Sequence, residues 1–440
     1  MPLTVLSNRD VRSLLLSLTG DEVRELRANL AEALREYSSG NQNSGCFSEY
    51  QPKSTTISKR NGLTTMFLPA STESSLGFKI MTVADAPSKP GPQRRLSASE
   101  ASIALPATLD SKSTLDSMAS KLSRTALAPA ATRLSQSRAA SPRPAPAADQ
   151  ETNVTSPSGS LTLLDPTGSP FGIVNAQELT AFRTALTSMM LLYRREKIST
   201  ITVFGAGRQA YWHIRLALLL RCKDIKRVNI INRSFERATG LLRKFYAADH
   251  VEWRQNVKFS AFSRDFVEYD RLLRECVVKA DVIFCCTPSP DPLFPADILT
   301  DSDGRRKGRF ISAIGSYRPN MTELDPDLIK HAIKSHTHHK HPPYGGVIVV
   351  DTLEASLHNA GEVVMAGLKP RQLVEVGELL MVKDATEKQG DPPDKSLVDW
   401  LQRGNVIYKC AGLGLMDLVV GGDIIKLAKE RHIGTTISEF

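Results

Sequence analysis

The chain has 440 residues, of which 41% are apolar, and it carries a formal net charge of +9. This length predicts two domains with an additional segment, and the apolar content is enough to build hydrophobic cores. No apolar run approaches the roughly 20 residues that a membrane span needs. The N-terminal apolar stretch contains charged residues and lacks a small-residue cleavage site, so we expect no secretory signal.

The distribution of charge and the spacing of the cysteines bear on the partners and the location of the protein. Much of the positive charge falls between Lys89 and Asp149, and the rest of the chain has no concentrated basic helix, so we expect no nucleic-acid partner. The six cysteines show no C-x-x-C pair and no disulfide-like spacing. Such usage favours a reducing compartment, and we expect a cytoplasmic location.

The first half of the chain mixes helical and strand patterns around a biased segment. Helical periodicity in "DVRSLLLSLTGDEVRELRANLAEALREY" is followed by the strand-like stretches "GLTTMFLPA" and "LGFKIMTV". Residues 88–158 are rich in Ser, Ala and Pro and contain no aromatic residue, which predicts a disordered insertion. This insertion is either a phosphorylated segment or a tolerated surface loop. After it, "SLTLLDPTGSPFGIVN" predicts a hairpin and "AQELTAFRTALTSMMLLYRR" a helix.

From residue 200 the pattern changes to short apolar strands that alternate with helices. The strands are "TITVF", "RVNII", "VKFSAF", "DVIFCC", "RFISAIG" and "GVIVVD". Buried strands separated by helices are typical of a parallel sheet covered on both faces. We therefore predict an α/β fold with a Rossmann-type doubly wound sheet. After Asp351 the pattern predicts further helices.

A glycine turn joins the first two elements of this region. In "VFGAGRQA", Gly205, Gly207 and Ala210 form a G-x-G-x-x-A pattern that follows a strand and opens a helix. The first glycine permits the tight turn, the second lets the backbone approach a pyrophosphate, and the small alanine lets the helix pack on the strand. The context of the pattern predicts dinucleotide binding.

The end of the second strand predicts which dinucleotide binds. An NAD site usually has Asp or Glu there, whereas this strand ends in Asn232, Arg233 and Ser234. A guanidinium and a hydroxyl suit a 2′-phosphate, which favours NADPH over NADH. The alternative is that Arg233 is a solvated residue at a helix start. Thr287 and Ser289 follow the fourth strand, where ligands bind in open parallel sheets.

Two polar clusters carry no predicted function. His331, His336, His338, His339 and His341 lie in a Pro-bounded stretch without ordered ligand spacing, so we predict no metal site. Glu323 and Asp325 in "TELDP" are predicted to start a helix, where carboxylates suit the helix dipole.

Seven segments in this order resemble the ornithine cyclodeaminase and mu-crystallin family. They are "LTAFRTAL", "VFGAGRQA", "INRS", "ADVIFCCTPS", "ISAIGSYRPNMTELDP", "VVDTLEASLHNAGEV" and "YKCAGLGLMDLV". The resemblance implies a homodimer with a Rossmann domain, placed here at 196–352. It also implies a discontinuous α+β domain for substrate binding and dimerisation, which we place at 1–87, 159–195 and 353–440.

The resemblance also implies roles for matching residues. Arg183 matches an arginine that reaches the pyrophosphate of the cofactor, and Lys79 matches a lysine that binds the substrate carboxylate. Lys53 stands near the place of a second carboxylate binder, normally arginine. Tyr317 replaces the proton-transferring aspartate of true cyclodeaminases, and is predicted with Lys79 to be catalytic. The predicted cofactor-binding residues are Arg183, Thr184, Gly205, Gly207, Arg208, Gln209, Asn232, Arg233, Ser234, Thr287, Ser289 and Ser316.

Three functions follow from these residues. A tyrosine keeps its proton at neutral pH and is a poor base, so the first is an NADPH-dependent reductase of a C=N bond in an amino-acid-derived substrate, as in the ketimine reductase branch. The second is an NAD-dependent ornithine cyclodeaminase in which another group replaces the aspartate. The third is a non-enzymatic protein that binds NADPH or another ligand. Lys79 argues against the third.

Overall fold

A computed structural model describes residues 2–39, 54–58, 62–84, 157–247, 256–334, 346–388 and 395–440. The predicted insertion at 88–158 lies outside the described residues except for its last two positions. Lys53 and the histidines at 336–341 also lie outside them. The described residues form two β-sheets and the helices that pack against them.

The first sheet has seven strands and is mostly antiparallel. Its order is β15-β1-β6-β5-β4-β3-β2, and the pair β1–β6 is parallel. The strands are β1 (Leu3–Leu6), β2 (Thr55–Ser58), β3 (Leu63–Ser71), β4 (Leu76–Ala84), β5 (Ser158–Leu164), β6 (Pro170–Asn175) and β15 (Thr435–Ile437).

The second sheet has eight strands, and all its described pairs are parallel. Its order is β13-β12-β14-β11-β10-β7-β8-β9, which confirms the predicted doubly wound α/β fold. The strands are β7 (Thr200–Phe204), β8 (Arg227–Ile231), β9 (Lys258–Phe262), β10 (Val282–Cys285), β11 (Phe310–Ala313), β12 (Ile348–Val350), β13 (Leu373–Glu375) and β14 (Val406–Lys409).

Helices pack against both sheets, and two 3₁₀ turns (Gly304–Arg306 and Pro370–Gln372) add short irregular pieces. The described α-helices are α1 (Asn8–Leu16), α2 (Gly20–Ser39), α3 (Ala176–Leu192), α4 (Arg208–Arg221), α5 (Phe235–Tyr246), α6 (Tyr269–Lys279), α7 (Asp297–Thr300), α8 (Pro326–Ile333), α9 (Leu353–Asn359), α10 (Gly361–Ala366), α11 (Val376–Lys388), α12 (Lys395–Arg403) and α13 (Gly414–Glu430).

Local sequence signals account for several of these boundaries. The predicted hairpin is the pair β5–β6, and its turn is closed by the Gly168 N–H, which donates to the Asp165 carbonyl (2.9 Å). Gly168 has a φ of +87°, a conformation that glycine adopts without strain. Helix α3 begins after Asn175, whose side chain accepts a hydrogen bond from the Gln177 N–H (3.1 Å).

Two strands beyond residue 352 belong to the parallel sheet. The sequence predicts helices after Asp351 and assigns residues 353–440 to the other domain, yet β14 pairs with β11 and β12, and β13 pairs with β12. These strands are only three and four residues long. A short apolar run has no periodicity that separates a buried strand from a helical segment, so the helical prediction failed there.

The alternation of β4 gives its two faces different environments. Lys79 and Met81 are buried, whereas Leu76 and Phe78 are 40% and 38% exposed. Successive side chains of a strand point to opposite faces of the sheet, so Lys79 lies on the covered face. Helix α13 contacts β3, β4, β5 and β6.

Two buried polar clusters link the helices that flank the parallel sheet. The Glu178 carboxylate on α3 accepts hydrogen bonds from Arg12 on α1 (3.0 Å) and from the Trp212 indole on α4 (2.7 Å). His213 on α4 is hydrogen-bonded to Ser188 on α3 (3.0 Å), and burial lowers its pKa to about 4. His213 is therefore neutral at physiological pH and serves the packing of α4 on α3.

The described helices include none that is long and apolar enough to cross a membrane. The cysteines within the described ranges are free thiols, namely Cys222, Cys276, Cys285, Cys286 and Cys410.

Candidate functional site

The glycine turn lies at the carboxyl edge of the parallel sheet, where β7 ends. Gly205 has a φ of +109°, which residues with a side chain rarely adopt. Its N–H donates to the Ile231 carbonyl at the end of β8 (2.8 Å). A Cβ added at this position would lie 2.8 Å from the Cys286 carbonyl oxygen. Any side chain here would therefore clash with the loop after β10.

The next two residues leave an open space in front of helix α4. Gly207 is the N-cap residue, and no described side chain caps the first N–H groups of the helix. A Cβ on Gly207 meets no described atom within 4 Å. The side-chain oxygen of Gln209 is buried and has no hydrogen-bond partner among the described residues. Exposed backbone N–H groups beside open space fit the pyrophosphate of a dinucleotide.

Arg208, the first residue of α4, belongs to the Glu178 cluster. Its Nε lies 3.3 Å from the Glu178 carboxylate, and its side chain is 38% exposed. The carboxylate thus holds the guanidinium beside the helix N-terminus. Nothing in the sequence singles out Glu178, because a single acid in an apolar helix predicts no partner.

The three residues after β8 have different roles. The Asn232 side chain donates to the Ser234 carbonyl (2.9 Å), which closes the turn. The Ser234 hydroxyl accepts from the Arg237 N–H (3.2 Å) and caps α5. Arg233 is exposed and makes no hydrogen bond or ion pair with another described residue. The Arg233 guanidinium is thus available to a ligand, and the Asn232 side-chain oxygen and the Ser234 hydroxyl proton keep hydrogen-bonding capacity as well.

A buried carboxylate connects the loops after β10 and β11. Glu323 is fully buried, and its carboxylate accepts hydrogen bonds from the N–H groups of Thr287 (2.7 Å) and Gly315 (2.6 Å). The prediction that Glu323 starts a helix is wrong. The prediction for Asp325 is confirmed, because it caps α8 through the Asp327 N–H (2.9 Å).

A second carboxylate and a lysine extend this network to the end of β14. Lys409 donates to the Ser316 hydroxyl (2.5 Å) and lies 3.4 Å from the Glu362 carboxylate. Glu362 also accepts from Ser316 and from the Glu323 N–H (2.7 Å). Burial raises the pKa of Glu323 to about 7, while Lys409 opposes the rise. The network ties together the carboxyl ends of three neighbouring strands.

A second buried cluster lies where β4, α3 and α13 meet. The Lys79 ammonium lies 2.9 Å from one oxygen of Asp417, and the Arg183 guanidinium lies 3.2 Å from the other. The side chains of Lys79, Arg183 and Asp417 are 3%, 6% and 1% exposed, respectively. Two cations therefore share one carboxylate away from water.

Burial and mutual attraction set the protonation of this cluster. Burial lowers the pKa of Lys79 to about 8, although Asp417 opposes the shift. Burial also works against the charge of Asp417, but Arg183 and Lys79 outweigh it and keep the pKa of this carboxyl below its usual value. At neutral pH the three side chains together carry one net positive charge, and Asp351 also interacts electrostatically with Arg183.

The cationic cluster lies beside the loop that follows β14. Gly412 of this loop is so near the Arg183 guanidinium that a Cβ added to it would lie 3.9 Å away. The buried Asp351, after β12, accepts from the N–H groups of Ala411 (2.9 Å) and Gly412 (2.7 Å) and so holds this loop. The cations thus lie next to the carboxyl edge of the parallel sheet, the edge at which the glycine turn also lies.

Tyr317 lies in the loop after β11, one residue beyond the buried Ser316. Its side chain is half-buried, and the Arg318 guanidinium lies 5.6 Å from the centre of its ring. The remaining predicted residues, Thr184 and Ser289, lie on other segments of the chain. Thr184 is buried on α3, and the Ser289 hydroxyl donates to the Asp291 carbonyl (2.6 Å).

The described residues contain no group of three or more His, Cys, Asp or Glu that could hold a metal ion. His331 is the member of the predicted histidine cluster that the structure describes.

The fold and the glycine turn define a Rossmann-type dinucleotide-binding protein with a buried cationic cluster beside the sheet edge. The family model of the ornithine cyclodeaminase/mu-crystallin family matches residues 149–375. The chain belongs to this family, which confirms the family that the sequence resemblance predicted. Membership places the chain among NAD(P)-dependent imine reductases and cyclodeaminases.

Individual relatives agree with this assignment. The chain is 26% identical to a Δ(1)-pyrroline-2-carboxylate reductase of Bacillus cereus over 62% of this chain and 71% of the relative. It is 27% identical to the ketimine reductase mu-crystallin of Mus musculus, over 52% of this chain and 61% of the relative. A Δ(1)-pyrroline-2-carboxylate reductase of Thermococcus litoralis, solved with NADH and L-proline, shares the fold. Its TM-score is 0.62 at 15% identity, and the match covers 98% of this chain and 99% of that one.

The two glycines of the turn provide a matched pair of variants. We expect Gly205→Ala to lower the free energy of unfolding by roughly 2–4 kcal/mol, because it combines a positive φ with a clash. Gly207→Ala should change stability by less than about 0.5 kcal/mol, since its backbone is extended and its surroundings are open. It should nevertheless weaken dinucleotide binding at least about tenfold. Thermal unfolding and fluorescence titration measure both quantities, and unchanged affinity in Gly207→Ala would contradict the placement of the pyrophosphate.

Proposed function

We propose that this protein is an NADPH-dependent reductase of a C=N bond, in a ketimine or cyclic imine that carries a carboxylate. The observation that supports it most is the buried cluster of Lys79, Arg183 and Asp417, in which two cations share one acid. An uncompensated charge away from water is costly, so a site of this kind favours an anionic ligand. An amino-acid-derived imine supplies that anion as its carboxylate, bound at Lys79, while Arg183 keeps its predicted role toward the cofactor pyrophosphate.

The cofactor is assigned from the glycine turn and from Arg233. The open helix N-terminus at Gly207 suits the pyrophosphate, and Arg233 suits a 2′-phosphate on the adenosine ribose. When bound, the nicotinamide supplies a hydride to the imine carbon. Glu323 holds the loops that carry Thr287 and Gly315, at the edge of the sheet where the cofactor would bind.

Tyr317 has a part in the proton chemistry. Hydride addition to an imine requires a proton, or a hydrogen bond to the nitrogen, and a phenol can donate either. The Arg318 guanidinium faces the ring of Tyr317 and favours any negative charge that develops on the phenol. Release of ammonia from a diamino acid requires a carboxylate-type base instead. By the sequence resemblance, Tyr317 stands where cyclodeaminases carry that base.

The test of this function compares two reactions. With Δ1-pyrroline-2-carboxylate and NADPH we expect oxidation of NADPH, and with ornithine and NAD we expect no ammonia release. Robust ammonia release would show that the protein acts as a cyclodeaminase and not as a reductase. Binding of NADPH without turnover of any imine would favour the function of a ligand-binding protein.

Tyr317→Phe separates chemistry from binding. We expect kcat to fall by roughly 10²–10⁴-fold with little change in KM, because the lost hydroxyl acts on the reacting nitrogen. Tyr193→Phe, at an exposed tyrosine that is 42% accessible, is the control and should leave both constants unchanged. A fall in kcat of less than about threefold in Tyr317→Phe would contradict the assigned role.

The pKa of Lys79 predicts how carboxylate binding depends on pH. The ammonium is protonated below its pKa of about 8, so the cluster attracts a carboxylate there and loses its net charge as the pH rises. We expect the Kd of L-proline, measured with saturating NADPH, to rise about fivefold between pH 8 and pH 9. Lys79→Arg should remove this dependence, because a guanidinium stays protonated. A pH-independent Kd in the unmodified protein would show that Lys79 does not face the carboxylate.

The homodimer predicted from the family has a candidate interface on the first sheet. Leu76 and Phe78 on β4 and Ile57 on β2 are 40%, 38% and 50% exposed and lie on the sheet face opposite to that of Lys79. An exposed apolar face on an otherwise covered sheet favours association, here with a second copy of the chain.

Phe78→Asp tests this interface. We expect the dimer dissociation constant to rise by about 100-fold, measured by sedimentation or by light scattering after size exclusion. Val364→Asp, at an apolar residue that is 40% exposed on α10, is the matched control. A dimer that survives Phe78→Asp would show that the interface lies elsewhere.

The cytoplasmic location and the role in amino-acid metabolism stay predictions from the sequence.

A further inference from the structure

The loops after β8 and β9 lie side by side at the carboxyl edge of the parallel sheet. The strands pair in register up to Ile231 and Phe262, and the Asn232 N–H continues the ladder to the Phe262 carbonyl (3.2 Å). Neighbouring strands are roughly 4.8 Å apart. The residues that follow them are therefore close enough to contact one ligand.

An aromatic pair fixes the two loops against each other. The rings of Phe235, at the start of α5, and Phe266, after β9, have centres 5.1 Å apart. They are 40% and 37% exposed. Arg233 precedes the first ring by two residues, and Arg264 precedes the second ring by two residues. The contact between the rings therefore brings the two arginine-bearing loops close together.

Arg264 lines a cleft of about 750 Å³. The cleft is also lined by Phe266, by Leu273 of α6 and by the loop at 292–295. Two carboxylates, Asp270 and Asp325, line it as well. Asp325 is occupied as the cap of α8.

The neighbouring charges distinguish Arg264 from the other cations of this region. Arg271, Arg274 and Lys279 on α6 each form an ion pair with a carboxylate. Arg264, like Arg233, is exposed and makes no hydrogen bond or ion pair with any residue that the structure describes. The adjacent Asp265 accepts a hydrogen bond from the Ser263 hydroxyl (2.9 Å).

We propose that Arg264 is a second specificity-determining residue, which binds the 2′-phosphate of the cofactor together with Arg233. A phosphate presents three oxygens, and a guanidinium binds two of them at once, so two arginines from adjacent loops can hold the group from both sides. This inference rests on the proposed preference for NADPH. It adds a residue that the G-x-G-x-x-A pattern and the end of the second strand do not reveal.

The experiment uses 2′,5′-ADP and 5′-AMP, which differ in the 2′-phosphate alone. Calorimetric titration of Arg264→Ala should show about 10-fold to 100-fold weaker binding of 2′,5′-ADP, with 5′-AMP changed by less than about twofold. Arg233→Ala should behave in the same way. Arg243→Ala, an exposed cation at the other end of α5, is the control with the same change in net charge.

The outcomes separate the two levels of the proposal. Loss of 2′,5′-ADP affinity in Arg233→Ala but not in Arg264→Ala overturns this inference and leaves the NADPH preference in place. Equal binding of 2′,5′-ADP and 5′-AMP by the unmodified protein overturns the NADPH preference and this inference with it. Arg264→Lys, which keeps the charge and loses the fork, should retain part of the affinity, and full retention would show that Arg264 acts by charge alone and overturn the bidentate contact.

Discussion

The shared carboxylate of Asp417 is the interaction on which the arrangement of this protein depends. It joins Lys79 of the antiparallel sheet, Arg183 of α3 and the start of α13, three elements from distant parts of the chain. Removing one partner from such a buried cluster leaves the others uncompensated, which costs several kcal/mol, about 3–5. Asp417 therefore holds the two cations at a fixed place and leaves part of their charge for a ligand.

Buried carboxylates serve a similar purpose along the edge of the parallel sheet. Glu323, Glu362 and Asp351 each accept hydrogen bonds from backbone N–H groups of loops that follow the strands. Loops at the surface are otherwise the mobile parts of a fold. Because each carboxylate satisfies N–H groups of a loop from inside the protein, the edge can be rigid and open to a ligand at the same time.

The residues at this edge divide the proposed chemistry into separate tasks. The glycine turn and α4 offer backbone N–H groups, which suit phosphate oxygens. The cluster around Asp417 offers excess positive charge, which suits a carboxylate. Tyr317 lies on a third loop and, in the proposed function, offers a hydroxyl to the imine nitrogen.

The parts of this protein that were predictable from sequence are those in which a local pattern imposes a local geometry. Gly205 had to be glycine because of its own φ, the cap at Asn175 satisfies an N–H two residues away, and alternating strands and helices predict a parallel sheet. Glu323 and the strand β14 show where this reasoning stops. Their partners lie on other segments of the chain, and neither residue type nor periodicity names them. Lys79 and Asp417 are 338 positions apart, so only the tertiary structure could bring them together, because the contact of two distant charges is decided by the packing of the sheet and helices between them.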